Sequence, residues 1–347
     1  MNYIGSKTRL IKQIASVLSD YGVPQTGIAL DLFAGTAVAS KFFKSLGYQT
    51  YTNDWQAYSA ITAKAVIGLN TMPTFGGQGG EVVLASLNAL PGREGVFFNT
   101  YCEGGRAGRL YFSKANGQKI QTIRDQIAEW FHTSTISQAE YDWLVACLIK
   151  AADQVANTAS VYGAYLKVVK ASAQKSLILK PLDPIPSPDP SLQHHVFSED
   201  AETLLNMLDH EKITLTYLDP PYNHRQYAAN YHILETLAQW DLGRFEPRGV
   251  AGLRPKQEQC SRYCKKSKVV KAFQSLFERL RSDYVLFSYN NEGLLSESDL
   301  MSLFDRFCSH VQLTKIRHNR FRADKTSETR MYKGDYTEEF LLIGSRY

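Results

Sequence analysis

The sequence predicts an α/β fold, an open Rossmann-like sheet of mostly parallel strands interrupted by a long, mostly helical insertion. Three observations carry this. Near both ends of the chain, short apolar runs alternate with segments of helical period. Four of those runs stop at or just before a carboxylate, at Asp31, Asp54, Asp200 and Asp219. Between the second and the third, over residues 68–190, the alternation gives way to helical periodicity. A chain of 347 residues, 44% hydrophobic and 21% charged, can bury a sizeable core and fits a folded globular protein. No apolar run is long enough to span a bilayer and the first ten residues carry no apolar signal segment, so a cytoplasmic protein without membrane contact is expected. Five scattered cysteines are expected as free thiols. Cys260 and Cys264 lie close, with His310 and His318 downstream, but not at zinc-ligand spacing, and no metal is expected. A net charge of +5 is compatible with nucleic acid without showing it.

In chain order, Leu10, Ile11, Ile14, Val17 and Leu18 recur at helical spacing until Gly22 and Pro24 stop the helix. Ser6 can cap it, and Tyr3, Gly5 and Lys7 gather at its start, where unpaired N–H groups suit plain capping or an anionic group. Residues 28–36 then run from an apolar strand through Asp31 and Phe33 to a tight turn at Gly35, followed by a helix carrying Val38, Phe42 and Phe43. This is the nucleotide-binding corner of an open α/β sheet. It has one glycine where a dinucleotide fold uses three to seat a pyrophosphate, which implies a ligand without one. The next strand, residues 48–52, ends at Asn53 and Asp54, where such a sheet places the carboxylate that accepts from ribose hydroxyls. Asp54 can equally cap the following helix.

The insertion opens with a Gly-rich loop at residues 76–80 and continues through a Gly, Arg and aromatic stretch at residues 101–112. Helical patterns follow over residues 120–130 and 138–158, and five prolines within residues 180–190 make a stiff connector. The sheet resumes at residues 195–200, ending in Asp200, before a helix with Leu204, Leu205 and Leu208. The fourth strand, residues 213–218, stops at Asp219, Pro220, Pro221 and Tyr222. Two prolines fix φ and donate nothing, so carbonyls face outward as acceptors beside a carboxylate and a ring, a cluster suited to a planar amino group. The same four residues also make an ordinary turn. A loop containing Arg225 and a helix over residues 231–240 come next. Residues 244–281 are strongly basic, with Arg254, Arg262, Lys265, Lys266 and Lys268 beside Tyr263, and a second basic stretch holds Arg320 and Arg322. Charge runs are usually solvated faces, but these flank the strand ends, where a phosphate backbone would be met. Residues 284–290, 312–316 and 339–343 supply the last strands.

A pocket rimmed by carboxylates rather than a phosphate cradle suits a nucleoside with a cationic or neutral tail, and S-adenosylmethionine fits that description. The set NYIGSK, LDLFAGT, ND, SEDA and DPPYN, in this order and with a helical insertion before DPPY, resembles the adenine-specific DNA methyltransferases of the α-class motif order, such as the methylases of restriction-modification systems. The resemblance covers almost the whole chain and implies an S-adenosylmethionine-dependent methyltransferase sheet, formed by residues 1–67 and 191–347. Residues 68–190 would be the target-recognition region, and residues 223–271 a second contact with duplex DNA. It also implies that Tyr3, Lys7, Asp31, Phe33 and Gly35 serve the methionine part, Asp54 the ribose and Asp200 the cofactor adenine. Asp219 and the Pro220 carbonyl would accept from the target amino group, with Pro221 in the rim and Tyr222 stacked on a flipped base. Arg225, Lys265, Lys266, Lys268, Arg320 and Arg322 would contact DNA, and a cognate restriction endonuclease is a possible companion. Departures from the pattern lie in the shortened glycine motif and in the basic loop, which matches no motif. An RNA base methyltransferase shares the cofactor half and remains open, as does a nucleic-acid-binding protein without catalysis. An NAD-dependent oxidoreductase lacks its glycine fingerprint.

Overall fold

The computed structural model of the chain describes residues 7–255, 260–319 and 336–346. Tyr3, Arg320 and Arg322 lie outside the described residues. A short 3-10 turn, Lys7–Leu10, leads into α1 (Ile11–Asp20), followed by β1 (Ile28–Asp31), α2 (Val38–Ser45), β2 (Gln49–Asn53) and α3 (Ala57–Ala63). The insertion contributes α4 (Gly80–Ala89), α5 (Val96–Tyr101), α6 (Lys114–His132) and α7 (Gln138–Gln154). The sheet resumes with β3 (His195–Phe197), α8 (Ala201–Met207) and β4 (Ile213–Leu218). Then come α9 (Tyr227–Asn230), α10 (His232–Gln239), α11 (Val269–Arg279), β5 (Tyr284–Asn290), α12 (Glu297–Phe307), β6 (Cys308–Asn319) and β7 (Tyr336–Arg346).

The strands form one sheet of order β3-β2-β1-β4-β5-β7-β6. Neighbours from β3 to β5 pair in parallel, and β7 runs antiparallel between β5 and β6. Alternate residues of each strand enter opposite cores. Ile28, Leu30, Val285 and Phe287 face α8, α11 and α12 through Leu204, Phe273, Leu276 and Phe304. Ala29, Leu215, Tyr217 and Leu286 face α1 and α2 through Ile14, Val17 and Phe43. Both faces are therefore covered, as a parallel sheet requires. The strand order reverses between β1 and β4, and ligands of open sheets bind outside the carboxyl ends at that switch point. Among the described residues no helix is long and apolar enough to cross a membrane.

The helical insertion packs beyond residues 68 and 190. Its helices share one core with α3 and α10, with Trp143, Leu148, Tyr58, Ile233, Leu234 and Leu237 all buried in it. Polar ties reinforce the packing. Buried Arg124 of α6 donates from Nε to the Leu237 carbonyl at 2.8 Å and from a guanidinium nitrogen to the Ala238 carbonyl at 3.1 Å, satisfying the otherwise unpaired end of α10. Glu235 of α10 accepts from the Ala57 and Tyr58 N–H groups at 3.1 and 3.2 Å, and so caps α3.

Candidate active site

A cleft opens at the switch point, lined by residues from the ends of β1, β2 and β4 and from the segment before α8. On one wall, Asp31 is 1% exposed, and its Oδ2 accepts from the Ser40 N–H at 3.0 Å and the Ser40 hydroxyl at 2.6 Å. Among the described residues its Oδ1 is buried without a hydrogen-bond partner. Burial raises the Asp31 pKa to about 7; the Ser40 bonds oppose the rise and the nearby Asp219 charge adds to it. Asp54 accepts from the Gly35 N–H at 2.7 Å through one oxygen and from the Gln56 N–H at 2.8 Å through the other. The first bond fastens the turn after β1 to the end of β2, and needs Gly35 in the left-handed region at φ 53°. Burial lifts the Asp54 pKa to about 6 against these bonds. Asp200 sits at the rim as the cap of α8, accepting from the Glu202 N–H at 3.1 Å, with Arg262 3.8 Å away. Phe33 meets Tyr263 edge to face, centroids 5.3 Å apart, and both rings line the cleft.

On the opposite wall Asp219, Pro220, Pro221 and Tyr222 follow β4 directly. Lys7, 6% exposed, is 3.3 Å from Asp219 Oδ1 and 3.2 Å from Glu339 Oε2 on β7. Its ammonium lies 5.8 Å from the Tyr222 ring centroid, and Tyr289 meets that ring edge-on at 6.3 Å. Leu294 N–H donates to the Tyr222 carbonyl at 3.0 Å, tying this segment to the loop after β5. Lys7, expected to serve the methionine part, lines the cleft and is held there by two carboxylates on the Asp219 side. Burial disfavours its charge, but Asp219 and Glu339 outweigh burial and its pKa is raised. Burial likewise raises Asp219 to about 6, with Lys7 opposing and Glu339 adding to the rise.

The sequence model of the D12 class N6 adenine-specific DNA methyltransferases matches residues 3–303, most of the chain. The chain belongs to this family. Similar proteins agree with the family match. Over 346 residues, covering 99% of this chain and 98% of the relative, the methyltransferase is 41% identical to the type II methyltransferase M.NlaIII of Neisseria lactamica. It is 30% identical over 346 residues, again 99% and 98% of the two chains, to the type II methyltransferase M.CviAII of Paramecium bursaria Chlorella virus 1. Identity to M.FokI of Planomicrobium okeanokoites is 35% over 316 residues, 87% of this chain but 46% of that protein.

The basic residues of the methyltransferase divide into two sets. Arg254 was expected at the heart of the basic run, but it is buried and clamps Asp241 through two bonds of 2.7 Å with a third to Gln239. Arg262 pairs with Glu202 at 2.8 Å. Both neutralise carboxylates of their own chain. Arg225, Lys265, Lys266 and Lys268 are exposed. Two lining or neighbouring residues escaped the sequence reading. Tyr263, buried within the basic loop, offers only a lone aromatic among charges, and Glu339 offers only the polar first position of a strand pattern.

Proposed function

We propose that this enzyme transfers the methyl group of S-adenosylmethionine to the exocyclic 6-amino group of an adenine flipped out of duplex DNA. The observation that carries the reading is one cleft with two unlike walls: at Asp31 a buried carboxylate oxygen with no partner among the described residues, and at Asp219–Tyr222 a carboxylate, prolines and an aromatic ring. The first wall fits the donor. Asp31 Oδ1 suits its ammonium group, Gly35 and Phe33 the methionine part, Asp54 the ribose hydroxyls and Asp200 the adenine amino group. When bound, the donor supplies a sulfonium-activated methyl group. Asp219 and the Pro220 carbonyl accept the two hydrogens of the target amino group, drawing its lone pair out of the ring and aiming it at that methyl. Tyr222, braced by Tyr289 and Lys7, stacks on the flipped base and offsets part of an unstacking cost of roughly a few kcal/mol.

Residues 68–190 and 223–271 are assigned to DNA contact, the first as the target-recognition region. Lys265, Lys266 and Lys268 stand at the amino end of α11, where the helix dipole disfavours cations, and no described residue forms an ion pair with them. A phosphate backbone would supply the missing anion. Replacing Lys265 and Lys266 by glutamine is expected to weaken binding to every duplex sequence and to flatten the slope of log affinity against log salt by roughly 2. An unchanged slope in a filter-binding titration would return them to plain surface. Similarity to type II methyltransferases supports pairing with a cognate restriction endonuclease.

Donor affinity should be linked to pH through Asp31. A carboxyl group with a pKa of about 7 must shed its proton to meet an ammonium, so affinity rises with pH up to about 7 and levels off above it. Calorimetry across that range checks the sign; affinity that falls as pH rises to 7 would remove Asp31 from the site. The whole reading is tested by offering labelled donor with duplex DNA and, separately, structured RNA, then digesting to nucleosides. N6-methyldeoxyadenosine from the duplex is expected, and label confined to RNA or to cytosine would overturn it.

A further inference from the structure

Glu339 has no place in the reading above, yet it lies against the residues that carry it. It falls beyond residues 3–303, the span matched by the family model. On β7 it pairs in register with Asn290, the last residue of β5, so the reversed strand brings a carboxylate to the same sheet edge as Asp219. Asn290 Nδ2 donates to Glu339 Oε1 at 3.1 Å, and Lys7 Nζ donates to Glu339 Oε2 at 3.2 Å. The result is a line of groups, Asn290, Glu339, Lys7 and Asp219, ending at the proposed amino-group acceptor.

A buried ammonium facing a single carboxylate would settle on it and take up its lone pairs. Asp219 would then be a poor acceptor for anything else. A second carboxylate changes the balance, because the ammonium is shared and half-withdrawn. We propose that Glu339 is a positioning residue for methyl transfer: it holds Lys7 back from Asp219, so that Lys7 steadies the Asp219 carboxylate while leaving it able to accept from the adenine amino group. The inference rests on the reading of Asp219 as that acceptor. The charged and titratable groups facing Asp219 are Lys7, Glu339, Asp31, Tyr217, Tyr222 and Tyr227. Of these, Glu339 is the one that accepts a hydrogen bond from Lys7 among the described residues. Its negative charge also raises the Asp219 pKa, after burial and against Lys7.

Glu339→Gln keeps the side-chain shape and removes the charge. With saturating donor and duplex, turnover is expected to fall about tenfold, the scale of losing an outer partner of a working group, while donor affinity is unchanged. The acid limb of the kcat profile should move to lower pH, because Asp219 loses a like charge and gains Lys7. A merely structural role would not move that limb. If Glu339 acts through Lys7, the double variant Lys7→Met with Glu339→Gln is no slower than Lys7→Met alone. Asn290→Ala keeps the Glu339 charge and strips one donor from it, so the acid limb should move by less and in the other direction, to higher pH; it serves if Glu339→Gln does not fold. Wild-type turnover with an unmoved acid limb, or additive losses in the double variant, would overturn the proposal. An active Asp219→Ala variant would instead remove the acceptor reading on which it rests.

Discussion

Asp219→Ala is expected to lower methyl transfer by at least about 10²–10³-fold, the scale of removing one preorganised partner of the reacting group, while donor and duplex still bind. The reasoning is geometric. Asp219 lies on the proposed acceptor wall, and the opposite wall of Asp31, Gly35 and Asp54, proposed to hold the donor, is fixed by its own bonds to Ser40 and Gln56 and between the two corners. Removing the carboxylate also leaves Lys7 with Glu339 at 3.2 Å, so no buried ammonium is stranded and the fold should tolerate the change. Equilibrium binding of donor and of duplex, set beside single-turnover methylation, separates the two effects. Turnover near that of the parent would sink the mechanism.

Asp31→Asn should move function and stability in opposite directions. The amide oxygen can still accept from the Ser40 N–H and hydroxyl, so the local frame survives. The charge meant for an ammonium is lost, and donor affinity at pH 8 should fall by at least about thirtyfold, the low end of the roughly 2–5 kcal/mol seen when one partner of a buried charge pair is removed. Stability has the opposite sign. A carboxyl raised to about 7 binds its proton more tightly in the native than in the unfolded chain, so its contribution is intact below pH 4 and is lost as pH rises through 7. Asparagine carries no such penalty. The ligand-free variant should therefore melt higher than the parent above pH 7, with the gap closing toward pH 4. A variant that melts lower at pH 8 and binds the donor normally would contradict both halves of the argument.

What could be read from the chain alone follows from how local each signal is. The corners at Asp31–Gly35 and Asp219–Tyr222 are strand ends whose neighbours in sequence are also their neighbours in space, and the strand order placed them on one edge. Lys7 was recognised as part of the site, but its partner Glu339 is 332 residues away on a reversed strand, and no local pattern announces such a pairing. Arg254 and Arg262 show the converse failure. A run of positive charge was visible, but whether each side chain faces a carboxylate or water depends on Asp241 and Glu202, which only the fold brings near. The insertion was legible as helical from its period, whereas its fusion with α3 and α10 depends on which apolar stripes face one another.

That fusion bears on how such enzymes could be re-engineered. Glu235 joins α10 to the start of α3, three residues after Asp54, while Arg124 joins α10 to the insertion and the Asn230 carbonyl accepts from the Tyr162 N–H at 2.7 Å. A segment of residues 68–190 grafted from another recogniser would have to reproduce the seat for α10, or leave Leu237 and its neighbours without a partner surface. If residues 68–190 read the target as proposed, exchanging sequence preference means redesigning one continuous core, and the workable unit for transplantation includes α3 and α10 along with the insertion.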